Sequence, residues 1–202
     1  MPSLVGSEMC IRDRFSIYRD FLFQISHPKS LRKDLLIMKV EERLLKYVGY
    51  HTTSDEASDK IPSSDREFAL ARELESELKE LGLSKVVLTD HCYVYGLLPA
   101  TAGMEHKKAV GFIAHMDTVS DYCNHDITPV ITENFNGESL TLPAGITLSV
   151  HDFPHLGTLK ERTLITSDGS TILGADDKAG IAEILTRSHR TKQALSLIHI
   201  SE

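Results

Sequence analysis

Two short runs in this chain have the residue types and spacing for metal chemistry. His115-Met116-Asp117 follows the small and apolar run from Ala109 to Ala114. Such a continuous run predicts a strand buried on both faces. Alternation along it puts His115 and Asp117 on one side and Met116 on the other. A neutral imidazole in that place can bind a metal through one nitrogen, while the carboxylate holds the other N–H and fixes the tautomer. The carboxyl end of a strand in an open α/β sheet is also where ligands bind. A His–Asp pair that only ties down a loop fits the same spacing.

The second run is Gly174-Ala175-Asp176-Asp177-Lys178-Ala179-Gly180. Its small residues let the backbone pack closely and present two carboxylates at the start of a helix. One carboxylate has two oxygens and can bridge two metal ions that take nitrogen and oxygen ligands at ~2.0–2.2 Å. Capping the helix is the plainer role for an Asp in such a place, and Asp177 is assigned to capping or support.

The elements that must position these groups read as follows. Val40, Leu44, Leu45 and Val48 have helical spacing, a short amphipathic opening helix. Ser64-x-x-Glu67 has the form of a capping box, and a helix is expected over 65–81, with Ala71, Leu74, Leu78 and Leu81 inward and Gly82 as its stop. Val86–Thr89 and Cys92–Leu98 read as paired strands with a turn near Asp90. Residues 121–160, rich in Pro, Gly, Asn and His, predict loops with short strands. Thr163–Ser167 and Ser170–Leu173 flank Asp168-Gly169, a hairpin signal. From Lys178 to His189 the helical spacing returns through Ile181, Ile184 and Leu185. Helices interleaved with buried strands mean an α/β fold around a mostly parallel or mixed sheet. His151 and His155 have the spacing of a zinc pair, but Pro154 between them breaks the helix that such a pair requires. His91 and His125 are expected in surface loops, and Tyr93 and Tyr95 as packing residues.

Together the two metal-capable runs are specific. His-Met-Asp-Thr-Val after Gly-Phe-Ile-Ala, followed by the run from Thr166 to Ile184, resembles peptidase T, a tripeptide aminopeptidase among the two-zinc aminoacylases and carboxypeptidases. The resemblance covers nearly all of 38–186. It implies an α/β zinc-peptidase catalytic domain, here truncated, with a central mixed β-sheet flanked by helices. It implies that His115 binds one zinc, that Asp117 is the catalytic-site group orienting His115, and that Asp176 bridges two zinc ions. It further implies a cytoplasmic enzyme acting on a small peptide, a tripeptide, and it admits a homodimeric parent. The family continues beyond the helix that starts at Lys178 into a Glu-Glu pair with the general base, then further ligands and a dimerisation domain. This chain holds only His115 and Asp176 of the ligands, fewer than the three protein ligands plus water of a catalytic zinc. The chain by itself is therefore expected to be inactive, with an unpaired sheet edge that favours aggregation. A related two-zinc dipeptidase or deacylase is the nearest alternative. A short non-catalytic protein binding a metal or a partner is the other.

The chain has 202 residues, 41% of them hydrophobic and 25% charged, the mix of one globular domain. A net charge of -7 argues against nucleic acid and anionic membranes as partners. No stretch approaches the ~20 apolar residues of a membrane span. Three widely spaced cysteines fit free thiols in a reducing compartment.

Both ends look foreign. The DNA CTGTCTCTTATACACATCTCCGAG encodes LSLIHISE, residues 195–202, and its reverse complement read from the second base encodes SEMCIRD, residues 7–13. One short DNA read on two strands thus accounts for both ends, as a sequencing-library adapter would. Residues 1–14 and 195–202 are therefore set apart as adapter-like, 15–37 as translated 5′ leader or extension ahead of Met38, and 38–194 as the domain proper.

Overall fold

The computed structural model describes residues 38–123, 125–190 and 197–201. Helix α1 spans Val40–Val48 and buries Leu44, Tyr47 and Val48. Tyr47, and not the half-buried Leu45, completes the inward stripe. The Lys39 N–H donates to Glu42 Oε2 at 2.7 Å, satisfying one of the free donors of the helix start.

Helix α2 spans Glu67–Glu80, starting two residues later than its predicted Asp65. The Glu67 N–H goes to the Ser64 carbonyl, and not to its hydroxyl as the capping box required. Arg66 at the cap position is already helical, with φ −62° and ψ −32°. The Ser64 hydroxyl instead accepts the Arg66 N–H at 3.4 Å, while the Glu67 side chain is fully buried. Leu70, Ala71, Leu74 and Leu78 form the inward face. At its end Gly82, with φ +75°, donates to the Lys79 carbonyl, and Leu83 reaches back to Leu78 at 3.0 Å.

The main sheet has four strands in the order β1-β2-β8-β3. Strands β1 (Ser84–Leu88) and β2 (Val94–Leu97) pair antiparallel, as expected of a turn near Asp90. Strand β3 (Gly111–His115) lies at the far edge. Between them runs β8 (Leu197–Ser201), antiparallel to β2 and parallel to β3. Residues 197–201 of the adapter-like run thus pair on both sides through their backbone. The sheet is mixed, as predicted, and α2 packs on β1 and β2 while helix α3 (Ala175–Arg190) packs on β3 and α1.

The expectation that 109–114 is buried on both faces is corrected. Ala114 is buried, but Val110, Phe112 and Ile113 are exposed, Ile113 by 65%. As an edge strand β3 is covered by α3 on one face, and the face that carries Ile113 and His115 stays open.

The 121–160 region holds short strands as predicted: β4 (Pro129–Thr132), β5 (Leu140–Thr141) and β6 (Thr147–Leu148), with a 3₁₀ turn over Pro154–Leu159. Strand β7 (Leu164–Ser167) pairs with β4 and not with Ser170–Leu173, so the predicted hairpin is replaced by a longer-range ladder. Asp168 Oδ1 accepts both the Ser170 N–H at 2.8 Å and its hydroxyl at 2.6 Å, a side-chain turn that leads the chain away from β7. One core unites α1, α2 and α3 with Val94, Ala114 and Met116 of the sheet region.

Candidate metal centre

Strand β3 delivers His115 at its carboxyl end. Just beyond it the chain is pinned by the segment 52–54, which runs beside 116–118. The Thr118 N–H donates to the Thr52 carbonyl and the Ser54 N–H to the Thr118 carbonyl, each at 2.9 Å. The Thr52 hydroxyl donates to the Met116 carbonyl at 2.7 Å. Met116 points inward and is fully buried, so its neighbours His115 and Asp117 turn to the open side, as alternation required.

His115 Nδ1 lies 3.1 Å from Asp117 Oδ1 and 3.0 Å from the Asp117 carbonyl oxygen. Its Nε2 lies 3.1 Å from Asp176 Oδ1, across 61 residues of sequence. The two runs singled out by residue type thus meet on one imidazole, with a carboxylate at each nitrogen.

The start of α3 is built to hold Asp176 there. Gly174 has φ +68°, and a Cβ on it would stand 3.1 Å from Thr118 Cγ2, so only glycine lets this turn pack against the end of the β3 segment. Asp176 and Asp177 have non-helical angles, and the peptide bond between them is cis. Asp177 Oδ1 accepts the Gly180 N–H at 3.1 Å, the capping role expected of it. Burial raises the Asp177 pKa above the ordinary carboxylate value.

Gly180 has no side chain because the Asp177 carboxylate occupies that space: an added Cβ would meet Asp177 Oδ1 at 2.3 Å. On helix propensity alone Gly180→Ala would add about 1 kcal/mol of stability. The expected result is no gain, because the displaced cap costs ~0.5–2 kcal/mol. In an Asp177→Ala background the same substitution should recover the propensity gain, which paired urea unfolding curves will show.

The pKa of His115 is raised from 6.5 to about 9, first because Asp117 accepts its Nδ1–H; burial opposes the shift, and the charges of Asp117 and Asp176 add to it. The folded value exceeds the unfolded one, so the pairing stabilises the fold fully below pH 6.5 and is lost as pH rises through about 9. Metal uptake must displace the Nε2 proton, so metal affinity should climb across the same window. An imidazole NMR titration is expected to place the His115 midpoint near 9 and to bring it back towards 6.5 in Asp117→Asn.

One nitrogen and one oxygen each ~2.0–2.2 Å from the same ion would stand roughly 3.0 Å apart at a right angle and about 3.4 Å apart at the tetrahedral angle. The observed 3.1 Å between Nε2 and Oδ1 falls in that range. The pair therefore fits two positions around a metal ion. Among the described residues no third His, Cys, Asp or Glu joins them.

The other residues weighed from sequence lie elsewhere. His151 is exposed and contacts Asp152, and the His155 ring meets the Phe153 ring edge-on. His125 is exposed and bonds the Ser170 hydroxyl, and His91 is exposed near the Ile61 carbonyl. The rings of Tyr93 and Tyr95 stand 6.3 Å apart and pack against each other. Sequence reasoning gave no role to Lys178, which is fully buried and donates to the Tyr50 carbonyl at 2.7 Å. Its signal was present: Lys178, Ile181, Ala182 and Leu185 share one helical stripe, the buried one. Burial lowers the Lys178 pKa to about 8.

No helix among the described residues is long and apolar enough to cross a membrane. No family model matches the chain. The chain is 53% identical over 150 residues to peptidase T of Caldanaerobacter subterraneus subsp. tengcongensis, covering 73% of this chain and 36% of that protein. It is 47% identical over 150 residues to peptidase T of Clostridium acetobutylicum, with the same shares covered. The aminoacylhistidine dipeptidase from Vibrio alginolyticus superposes with a TM-score of 0.42 and 22% identity over 82% of this chain and 28% of that one. The chain spans about a third of the length of the curated relatives it matches. Over the stretch they share, this chain is a homologue of proteins named peptidase T.

Proposed function

We propose that this chain is a segment of a cytoplasmic, zinc-dependent aminopeptidase that releases the N-terminal residue of tripeptides, and that it contributes His115, Asp117 and Asp176 to the metal site. The observation that carries this is the convergence of His115 Nε2 and Asp176 Oδ1 at 3.1 Å from motifs 61 residues apart. Homology to proteins named peptidase T supports the reaction class.

The chain's own groups have separate tasks. Asp117 accepts the Nδ1–H of His115 and so leaves the Nε2 lone pair aimed at the metal position. Asp176 would offer its carboxylate to the same position, and a carboxylate has two oxygens with which it could hold a second ion. Asp177 fixes the helix start behind Asp176 by capping Gly180. When bound, zinc ions lower the pKa of a water and polarise the peptide carbonyl. With two ligands among the described residues, the chain by itself is expected to turn over no peptide.

The test is to re-amplify the locus, extend the reading frame past Lys192, and assay the product on tripeptides and dipeptides with and without zinc. Zinc-dependent release of the first residue from tripeptides, lost in His115→Ala, is the expected result. A stop directly after the codons for residues 195–202 in genomic DNA would contradict it, as would a zinc-independent product.

A further inference from the structure

The fully buried Lys178 is out of place for a residue that only packs. Burying an ammonium is costly unless it is paired, and among the described residues no carboxylate forms an ion pair with it. Its hydrogen bond goes to the Tyr50 carbonyl, at 2.7 Å. The Nζ atom also lies 3.8 Å from the point where a Cβ on Gly174 would stand, and Thr118 Cγ2 is 3.1 Å from that same point. The ammonium therefore sits where the start of α3, residue 50 and the end of the β3 segment come together.

Tyr50 opens the segment that is stitched to 116–118 through Thr52 and Ser54. A chain of contacts then runs from Asp176, two residues before Lys178, through the ammonium to Tyr50, on to Thr52, and from there to Met116 and Thr118 on either side of Asp117. We infer that Lys178 is a positioning residue that ties the Asp176 helix start to the 50–54 segment bracketing Asp117, and so holds His115 and Asp176 at metal-ligand separation. This rests on the metal-site assignment proposed above and deepens it. A methionine or leucine would fill the same volume at lower desolvation cost, but neither could donate to the Tyr50 carbonyl.

The test compares cobalt(II) binding by the 202-residue chain with that of Lys178→Met, Lys178→Arg and His115→Ala, read as visible absorbance during titration, with circular dichroism as a check on folding. Lys178→Met is expected to keep the helical signal, weaken cobalt binding about 10- to 100-fold, as loss of a supporting group does, and shift the absorption band. Lys178→Arg, which keeps a positive charge and N–H donors on a long side chain, should recover the band and most of the affinity. A folded Lys178→Met with unchanged affinity and band overturns the inference and leaves the metal site standing. If Lys178→Met does not fold, Lys178→Arg decides alone: retained binding supports the tie, and a folded variant without binding overturns it. Cobalt uptake equal in the unsubstituted chain and His115→Ala would remove the metal site itself, and the inference with it.

Discussion

His115→Ala and Asp176→Ala are each expected to weaken zinc or cobalt binding at least about 100-fold, more than the 10–100-fold that follows loss of a group behind a ligand. Each substitution removes one of two converging donors and leaves a single group facing water. Neither should unfold the chain. The two side chains are 42% and 54% exposed, and neither contributes to the hydrophobic core. Calorimetric titration with zinc checks affinity, and circular dichroism checks the fold. The two losses should not add, because one ion needs both donors at once. A His115→Ala chain that binds zinc as well as the unsubstituted one would show that the metal sits elsewhere.

Glu77→Ala is expected to give the largest loss of stability, ~3–5 kcal/mol, the cost of breaking a buried ion pair by removing one partner. Glu77 is buried between α1 and α2, where Oε2 takes Arg43 and the Tyr47 hydroxyl at 2.8 Å, and Oε1 takes Lys46 at 2.7 Å. Removing the carboxylate strands a guanidinium with 4% side-chain exposure. It also leaves the Tyr47 hydroxyl, whose pKa burial and Glu77 hold far above the usual value, without its acceptor. Urea unfolding should show a lower midpoint with little change in slope. The double variant Arg43→Met/Glu77→Leu should regain most of the loss, since an apolar pair of similar volume avoids the desolvation cost. A loss under about 1 kcal/mol for Glu77→Ala would place this cluster with exposed ion pairs.

The metal-capable residues were legible because their chemistry is local. A strand end sets His115 and Asp117 two apart on one side, and a small-residue turn sets Asp176 at a helix start. Neither motif alone tells that the two meet, since that depends on the packing of α3 against β3. Helices were found because burial repeats every 3.6 residues, and the β1–β2 hairpin because its turn is short. The errors share a cause, which is that pairing partners are not local. Asp168-Gly169 reads as a hairpin, but β7 finds β4 more than thirty residues away. The apolar run at 109–114 reads as doubly buried, but β3 lies at a sheet edge. Ser64 and Glu67 have the spacing of a capping box, yet the chain enters α2 already helical at Arg66.

The most direct measurement of the central claim is zinc-edge X-ray absorption on the chain loaded with one equivalent of zinc, beside its His115→Ala and Asp176→Ala variants. The predicted spectrum has imidazole nitrogen and carboxylate oxygen at ~2.0–2.2 Å, with the imidazole contribution gone in the first variant and an oxygen contribution reduced in the second. A zinc shell containing sulfur, or one unchanged by both substitutions, would contradict the account.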